Sequence, residues 1–487
     1  MRASLAGFCV AVIAATTVVA GEAAIAAAPE ETALVRPNIV LIFTDDQRVD
    51  DMIAMPQTRA LMAAGGTTFA HGYSPFPLCC PARASILSGQ YAHNHGVLGN
   101  ASADYPLGGW AAFDDTSTVA TWLDDGGYQT AYVGKYLNHY GEVRPALVPP
   151  GWDEWHVSVA GGNFFKTRLI ENGVEKIYDG PYQTDLYTDI SVDMIEQAAP
   201  SADPFFLVTG YYAPHSGSPV EPDDPSVALG VQMATPAVAP RHRDAYAGTP
   251  LPKDDPSYNE ADVTDKPAEF AARKPITSKL ELAMTENYQQ RLEALMAVDE
   301  GVGRIFDALE ASGELANTVV VFTSDNGWMQ GEHRLPTGKS VAYEPSVSVP
   351  LFIRGPGFPA GVTRQPPATL VDLAPTFADL AGVTPTLVVD GTSLRPLAQA
   401  PKIWPARPII IQAGPQSLTG PNYYMGVRTG KWVYLEYGET GEAEFYDMYA
   451  DPYQLRNLAP DPLYDRIQTS LAQELDRRRT CAGATCR

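Results

Sequence analysis

Largely hydrophobic runs recur along the chain, and each one ends in polar, proline or glycine residues. The clearest runs cover residues 37–44, 128–133, 205–211, 318–323 and 349–353. Runs of this length without polar alternation are typical of strands that are buried on both faces of a sheet. They therefore predict the central strands of a large core.

Stretches between these runs have apolar residues spaced three or four apart, which predicts helices. They cover residues 56–65, 119–125, 185–198 and 280–312. The last helix has a buried stripe formed by Leu292, Leu295, Val302, Phe306 and Leu309. Asp299 falls on this stripe, and a satisfied buried carboxylate is favoured there over a catalytic one because no partner is evident. The alternation of strands and helices predicts an α/β fold with a largely parallel sheet.

The pattern changes near residue 400, where the predicted strands become short and are joined by turns. They cover residues 409–412, 423–428, 431–437 and 444–446. Thr429-Gly430 is a predicted hairpin turn, and a final helix is predicted over roughly 461–478. We therefore expect a main α/β domain at 36–400 and a small C-terminal subdomain at 401–480, built from an antiparallel β-sheet plus a helix.

The N-terminus has the layout of an export signal. Arg2 gives a short basic start, residues 5–19 form an apolar core, and small residues at 23–28 offer cleavage sites. This predicts a signal peptide at 1–28 and a secreted, extracellular protein, with an uncleaved anchor as the alternative. No later stretch is long and apolar enough to span a membrane, so we expect no stable membrane insertion.

The formal net charge of −23 argues against nucleic acid as a partner. It also means that an anionic substrate would need its cationic contacts concentrated in one pocket. Residues 216–279, which are rich in Pro, Asp and Ala, predict a long irregular excursion of the kind that forms lids and rims.

The stretch around Cys79 and Cys80 combines groups that suit an anion. Pro81 and the residues after it predict a helix start, which places Cys79 at or just before a helix N-terminus. Arg83, one turn along, could reach the same anion. A disulfide is the alternative, but adjacent cysteines can bond each other only with strain. The two cysteines at the C-terminus, Cys481 and Cys486, make a natural small loop of their own, which favours the functional interpretation of Cys79.

Polar side chains follow several of the predicted strands, and the carboxyl ends of parallel strands form one rim where ligands bind. The residues concerned are Asp45, Asp46, Lys135, His215, Asp325 and Asn326. The carboxylate and amide oxygens among them suit a hard divalent cation, Ca²⁺ or Mg²⁺. The alternatives are helix caps or turns for the acidic pairs, a solvated lysine and a loop histidine.

These motifs resemble those of the type I sulfatases over about residues 36–460. Cys79, Pro81 and Arg83, followed by Ser88-Gly89, are similar to the signature that directs oxidation of its first cysteine to formylglycine. Further matches to the branch of N-acetylglucosamine-6-sulfatases and extracellular heparan endosulfatases lie at 38–47, 78–81, 91–95, 134–138, 323–327, Lys339, Tyr446-Asp447 and Asp451-Pro452. The resemblance implies an alkaline-phosphatase-like mixed sheet sandwiched by helices.

The resemblance also implies the chemistry. A separate formylglycine-generating enzyme would convert Cys79 to 3-oxoalanine (formylglycine), whose hydrated aldehyde attacks sulfur. One Ca²⁺ would be held by Asp45, Asp46, Asp325 and Asn326 and would contact the modified Cys79. Arg83 would orient the diol, Lys135 and Lys339 would balance charge on the sulfuryl group, and His215 would protonate the leaving alcohol.

The expected function is hydrolysis of a sulfate ester on a small molecule or glycan, and a sugar similar to N-acetylglucosamine-6-sulfate is favoured. The alternatives are a phosphodiesterase or phosphonate monoester hydrolase of the same superfamily and a non-catalytic carbohydrate-binding relic. One departure is Leu137, where many sulfatases carry a histidine; His139 is a candidate substitute. His93 and His95 are expected to be structural, and His333 is a weaker site candidate.

Overall fold

The computed structural model of the chain describes residues 1, 7, 36–100, 107–142, 147–159, 161–222, 224, 233–400, 407–415 and 422–487. The predicted signal peptide at 1–28 lies outside these residues except for residues 1 and 7. Residues Arg36–Arg487 form one compact unit. No helix among the described residues is both long and apolar enough to cross a bilayer.

The strands within the described residues are β1 Asn38–Thr44, β2 Thr67–Phe69, β3 Gly72–Tyr73, β4 Gln129–Gly134, β5 Glu154–Ser158, β6 Lys166–Glu171, β7 Val174–Asp179, β8 Phe205–Gly210, β9 Thr318–Ser324, β10 Ser348–Val349, β11 Leu351–Arg354, β12 Val362–Arg364, β13 Ala368–Thr369, β14 Ile409–Ala413, β15 Tyr424–Arg428, β16 Trp432–Tyr437 and β17 Ala443–Asp447. The α-helices are α1 Pro56–Thr58, α2 Cys79–Ser88, α3 Ala92–His95, α4 Val119–Asp125, α5 Gln183–Ala198, α6 Ala268–Ala271, α7 Ser278–Ala311, α8 Glu344–Val347, α9 Leu373–Ala381, α10 Arg395–Gln399 and α11 Asp465–Arg478.

The main sheet has the order β12-β2-β11-β9-β1-β8-β4-β5-β6-β7. Its centre, from β9 to β5, is parallel, while β11, β6 and β7 pair in the antiparallel sense. The predicted parallel core is therefore confirmed, with antiparallel strands added at its edges.

Helices cover both faces of this sheet. Alternate residues of β1 point to opposite sides, so that Ile39 joins one hydrophobic cluster and Val40 joins another. The first cluster contains residues of α2, α4 and α9, and the second contains residues of α5 and α7. The sheet sandwiched by helices agrees with the expectation from the sequence. The largely hydrophobic runs follow directly from burial on two faces.

The C-terminal sheet is antiparallel throughout, in the order β14-β15-β16-β17, and α11 packs on it through Leu471 and Leu475. The predicted hairpin turn at Thr429-Gly430 lies between β15 and β16. Cys481 and Cys486 form the expected disulfide beyond α11. The domain boundary near residue 400 stays a prediction.

One predicted strand is wrong as a single element. The run at 349–353 is divided at Pro350, so that β10 pairs with β3 in a small sheet and β11 pairs with β9 in the main sheet. Proline lacks the N–H that a continuous ladder would need, and it separates the two pairings. In its described part, the excursion at 216–279 is irregular as predicted, and α6 is the one α-helix there before α7 begins.

Candidate active site

The strand order brings the sequence-predicted site residues to one edge of the sheet. Strands β9, β1, β8 and β4 are adjacent and parallel, so their carboxyl ends lie side by side. Asp45-Asp46, Lys135 and Asp325-Asn326 directly follow β1, β4 and β9. His215 differs slightly from the expectation, because it lies five residues beyond the end of β8 rather than directly after it.

Cys79 is the first residue of α2 and is completely buried. Its thiol donates to Asp45 Oδ1 at 3.2 Å, and Lys339 Nζ donates to the sulfur at 2.9 Å. Burial, with the nearby Asp45 carboxylate, raises the pKa of the Cys79 thiol to about 12. Cys79 and Cys80 are both free, which excludes the disulfide alternative. An unmodified Cys79 is therefore a protonated thiol and a weak nucleophile at neutral pH.

All three guanidinium nitrogens of Arg83 donate hydrogen bonds to neighbouring groups. Its Nε donates to Asp325 Oδ2 at 2.7 Å and its Nη2 donates to Asp45 Oδ2 at 2.9 Å. Its Nη1 donates to the carbonyl oxygen of Lys135 at 2.6 Å. The guanidinium also lies 4.8 Å from the ring centroid of Phe43. These contacts fix the two carboxylates relative to α2 and β4.

Two lysines complete the cationic side of the site. Lys135 pairs with Asp45, and Lys339 pairs with Asp46. Lys135 Nζ also lies 4.9 Å from the ring centroid of Tyr212. Both lysines are largely buried, which excludes the interpretation of solvated surface residues.

His215 lies beside the acidic pair with a defined orientation. Its Nδ1 is 2.8 Å from the carbonyl oxygen of Ser216, so Nδ1 carries the N–H and donates. Its Nε2 is then directed into the site, 3.7 Å from Asp46 Oδ2. Burial lowers the pKa of His215, while Asp45 and Asp46 oppose that lowering.

The oxygen ligands expected for a cation converge. Carboxylate oxygens of Asp45, Asp46 and Asp325 lie within 4.8 Å of one another, and all three residues are buried. Asn326 Nδ2 donates to Asp46 Oδ1 at 2.6 Å, while the buried Asn326 Oδ1 has no hydrogen-bond partner among the described residues. A buried acceptor beside three carboxylates fits a hard cation that takes oxygen ligands.

The charges of this group strongly affect each other. Burial would raise the pKa of Asp45, but Lys135 and Arg83 more than compensate and hold it well below its usual range. Burial and the proximity of Asp45 raise the pKa of Asp325 to about 6. Three carboxylates facing Arg83, Lys135 and Lys339 make the site formally neutral.

The remaining histidines have other partners. His93 Nε2 contacts the carbonyl oxygen of Cys481 at 3.1 Å, and His95 Nε2 contacts Ser85 Oγ at 3.0 Å, as expected for structural residues. His333 is buried against Glu260, at 2.7 Å. His139 pairs with Glu142 on the surface and lines a small cavity of about 190 Å³ together with Lys135 and His215.

The sequence analysis did not find two residues that contact the site residues, Arg291 and Tyr212. Arg291 of α7 donates to the backbone carbonyl oxygen of Asp46. Tyr212 lies 4.8 Å from the ring of His215. A signal for Arg291 was present, because a charged residue stands on the apolar stripe that continues through Leu295 and Val302.

A larger cavity of about 660 Å³ opens on the Lys339 side of the site. Its lining includes Leu78, which is next to Cys79, together with Lys339, Glu269, Arg273 and Tyr423. Its walls mix charged, hydroxyl and apolar groups, as expected for a pocket that takes a polar organic molecule.

Comparisons with known proteins agree with these features. The family profile "Sulfatase" matches residues 37–383, and the profile "N-sulphoglucosamine sulphohydrolase, C-terminal" matches residues 331–481. A Sulf-1 extracellular sulfatase homologue from Caenorhabditis elegans is 34% identical over 374 residues, which cover 75% of this chain and 49% of that protein. The chain thus spans about half the length of that relative.

Human N-acetylglucosamine-6-sulfatase is 30% identical over 497 residues, which cover 93% of this chain and 86% of the human protein. A solved structure in complex with its substrate D-glucosamine-2-N,6-O-disulfate has a TM-score of 0.73 and 25% identity, covering 91% of this chain and 97% of that chain. This similarity confirms the alkaline-phosphatase-like fold expected from the sequence.

Proposed function

The chain belongs to the sulfatase family, and on that basis we propose that it hydrolyses the sulfate ester of a sulfated sugar, at a site centred on Cys79. The observation that carries this proposal is the position of Cys79 at a helix N-terminus, between Asp45 and Lys339. The sulfur of this candidate nucleophile precursor contacts one member of the carboxylate cluster and one basic side chain.

The charges explain why such a site would select a sulfate ester. Three carboxylates and three basic side chains cancel formally, so a bound divalent cation would leave two positive charges for an anionic ester. We propose Ca²⁺, held by Asp45, Asp46, Asp325 and Asn326 next to residue 79. When bound, Ca²⁺ supplies Lewis-acid stabilisation of charge on the sulfuryl oxygens.

We propose that Cys79 is converted to formylglycine, which supplies a hydrated aldehyde as the nucleophile in place of the inert thiol. The thiol is completely buried, so a formylglycine-generating enzyme would have to act before the chain folds. The position of the side chain is then set by α2, by Asp45 and by Lys339.

The other side chains have separate tasks. Lys135 and Lys339 would stabilise negative charge on the transferring group. Arg83 holds Asp45 and Asp325 in place, and through them would orient residue 79. His215, in its doubly protonated form, would give the Nε2 proton to the leaving alcohol oxygen, and the neighbouring Asp45 and Asp46 carboxylates favour that charged form.

For the substrate we propose a sugar of the N-acetylglucosamine-6-sulfate type. The human relative is named for that substrate, and the similar solved structure holds a disulfated glucosamine. The sugar would occupy the larger cavity beside Lys339. We also propose export through residues 1–28, in keeping with the relatives that are named as extracellular.

The competing functions are separable by experiment. A non-catalytic relic would have no reason to keep Cys79, Arg83, both lysines and four oxygen donors together. A phosphodiesterase or phosphonate monoester hydrolase could share the same site. The test is to measure kcat/KM in parallel for a matched aryl sulfate and aryl phosphodiester. We expect kcat/KM to be higher for the sulfate; faster turnover of the phosphodiester would contradict the proposal.

A further inference from the structure

Arg291 is buried beneath the candidate active site, in the middle of α7, and is 1% exposed. One nitrogen of its guanidinium, Nη2, donates to the carbonyl oxygen of Asp46 and lies 3.0 Å from Asp51 Oδ2. Its Nη1 lies 3.5 Å from the carbonyl oxygen of Pro214. The guanidinium also lies 5.2 Å from the ring centroid of Trp328.

These contacts reach the segments that follow three adjacent strands. Asp46 follows β1, Pro214 precedes His215 after β8, and Trp328 follows Asn326 after β9. The ring of Trp328 also lies 5.9 Å from Lys339 Nζ. One side chain from a helix thus joins the segments that carry the acidic pair, the histidine and the amide ligand.

Arg291 donates to the carbonyl oxygen of a residue, Asp46, whose backbone conformation is unusual. Asp46 has a φ of 69°, in the left-handed region that residues other than glycine seldom adopt. Such a conformation persists where the surroundings determine it. The amide nitrogen of Asp46 lies 3.2 Å from Asp325 Oδ1, and Arg291 holds the carbonyl oxygen on the other side.

We propose that Arg291 is a positioning residue of the metal site: by holding the left-handed backbone of Asp46, it directs the Asp46 carboxylate toward Asn326 and Lys339. This inference rests on the proposed Ca²⁺ site. A purely structural role is the alternative, in which Arg291 does no more than neutralise the buried Asp51. The two roles make different predictions. Only the positioning role makes the Ca²⁺ affinity depend on the hydrogen bond from Arg291 to the carbonyl oxygen of Asp46.

Two variants remove the donation in different ways. Arg291→Lys keeps the charge beside Asp51 but replaces the planar guanidinium, which can bond several acceptors at once, with a single ammonium group. Arg291→Met combined with Asp51→Asn removes the donor without leaving a buried carboxylate unpaired. Arg304→Lys is the matched control, because Arg304 lies on the same helix and pairs with Asp189 at the surface.

The measurement is calorimetric titration of EDTA-treated protein with Ca²⁺, with the Tm of the metal-free protein recorded for each variant. We expect the Kd for Ca²⁺ to rise at least about tenfold in both Arg291 variants, as for other residues that orient metal ligands. The control should match the wild type. Saturating Ca²⁺ should also restore part of the turnover of matured Arg291→Lys.

Wild-type Ca²⁺ affinity in both Arg291 variants would overturn the inference and leave the proposed metal site intact. A wild type that binds no Ca²⁺ would overturn the metal site and this inference with it. If neither Arg291 variant folded while Asp51→Asn alone did, Arg291 would be a folding residue and the positioning role would be wrong.

Discussion

The imidazole of His215 is held with its proton-bearing Nδ1 on the backbone and its Nε2 toward the site. A sugar alkoxide is a poor leaving group and needs a proton as the ester bond breaks, whereas a nitrophenolate leaves readily without one. The contribution of an acid at this position to the rate should therefore increase with the basicity of the leaving oxygen.

This dependence gives a direct prediction for His215→Gln. Turnover of a sugar sulfate should fall by about 10²–10⁴-fold, the usual contribution of a general acid, while turnover of 4-nitrophenyl sulfate should fall far less. The ratio of the two kcat/KM values, compared with the wild type, is the measurement. His156→Gln is the matched control, since His156 pairs with Glu154 away from the site. An equal loss on both substrates would contradict the assignment of His215 as the acid.

At the level of residues, most of the site could be predicted because strand ends converge. To predict Asp45, Lys135 and Asp325, it was enough to locate the strand that precedes each of them. Arg291 and Tyr212 could not be placed, because their contacts depend on how α7 and the segment after β8 pack beneath the rim. Arg83 was predicted as a site residue, but its contacts with two carboxylates follow from tertiary structure alone.

Among the elements, the buried strands and the long helices were predicted closely because hydrophobic periodicity reports burial. The hairpin β6–β7 was missed, because β7 is an edge strand whose residues are nearly all exposed. The turn itself left a signal, since Asn172-Gly173 adopts positive φ values at both positions, as in the tight hairpin turns that favour this dipeptide. Exposed strands lack an apolar pattern, so turn residues are the better guide to them.

Helix α7 also carries a buried carboxyl group, Glu293, that makes the stability of the protein depend on pH. Burial raises the pKa of Glu293 to about 7, although the amide of Tyr246 donates to its Oε1 at 2.8 Å and opposes the rise. The folded protein therefore binds a proton that the unfolded chain releases near pH 4.5. The free energy of unfolding falls as pH rises from about 4.5 to about 7, and above that range Glu293 is ionised at a cost.

We predict that Glu293→Gln stabilises the protein at pH 8 by about 1 kcal/mol and raises the Tm by about 1–3 °C. The same variant should have almost no effect at pH 4, where the carboxyl group is protonated in both states. Thermal unfolding at the two pH values tests this. Glu310→Gln, an exposed change on the same helix, is the control. A larger gain at pH 4 than at pH 8 would show that the sign is wrong.

For the whole molecule, the strong negative charge bears on the size of the substrate. A net charge of −23 would repel a long sulfated polymer, while a single sulfate group would meet the local cations of the proposed site. Raising the ionic strength from about 10 mM to about 150 mM shortens the screening length from about 30 Å to about 8 Å. Long-range repulsion is then reduced, but contacts inside the buried site are affected much less.

We predict that kcat/KM for a sulfated oligosaccharide rises severalfold relative to a monosaccharide sulfate over this range of salt. The monosaccharide in the same buffers is the internal control for effects on the site itself. Steady-state kinetics at several salt concentrations give the ratio. A ratio that falls with salt would instead indicate a basic surface that recruits the polymer.

We expect sulfate hydrolysis to depend on conversion of Cys79 to formylglycine. Protein should be prepared with graded conversion, by varying coexpression of a formylglycine-generating enzyme, and compared with Cys79→Ala. Mass spectrometry of the peptide that contains Cys79 gives the converted fraction, and sulfate release from N-acetylglucosamine-6-sulfate is measured on the same samples. We expect turnover to rise in proportion to the converted fraction and to be absent in Cys79→Ala. Equal turnover by fully converted and thiol-only protein would show that hydrolysis does not need formylglycine at position 79.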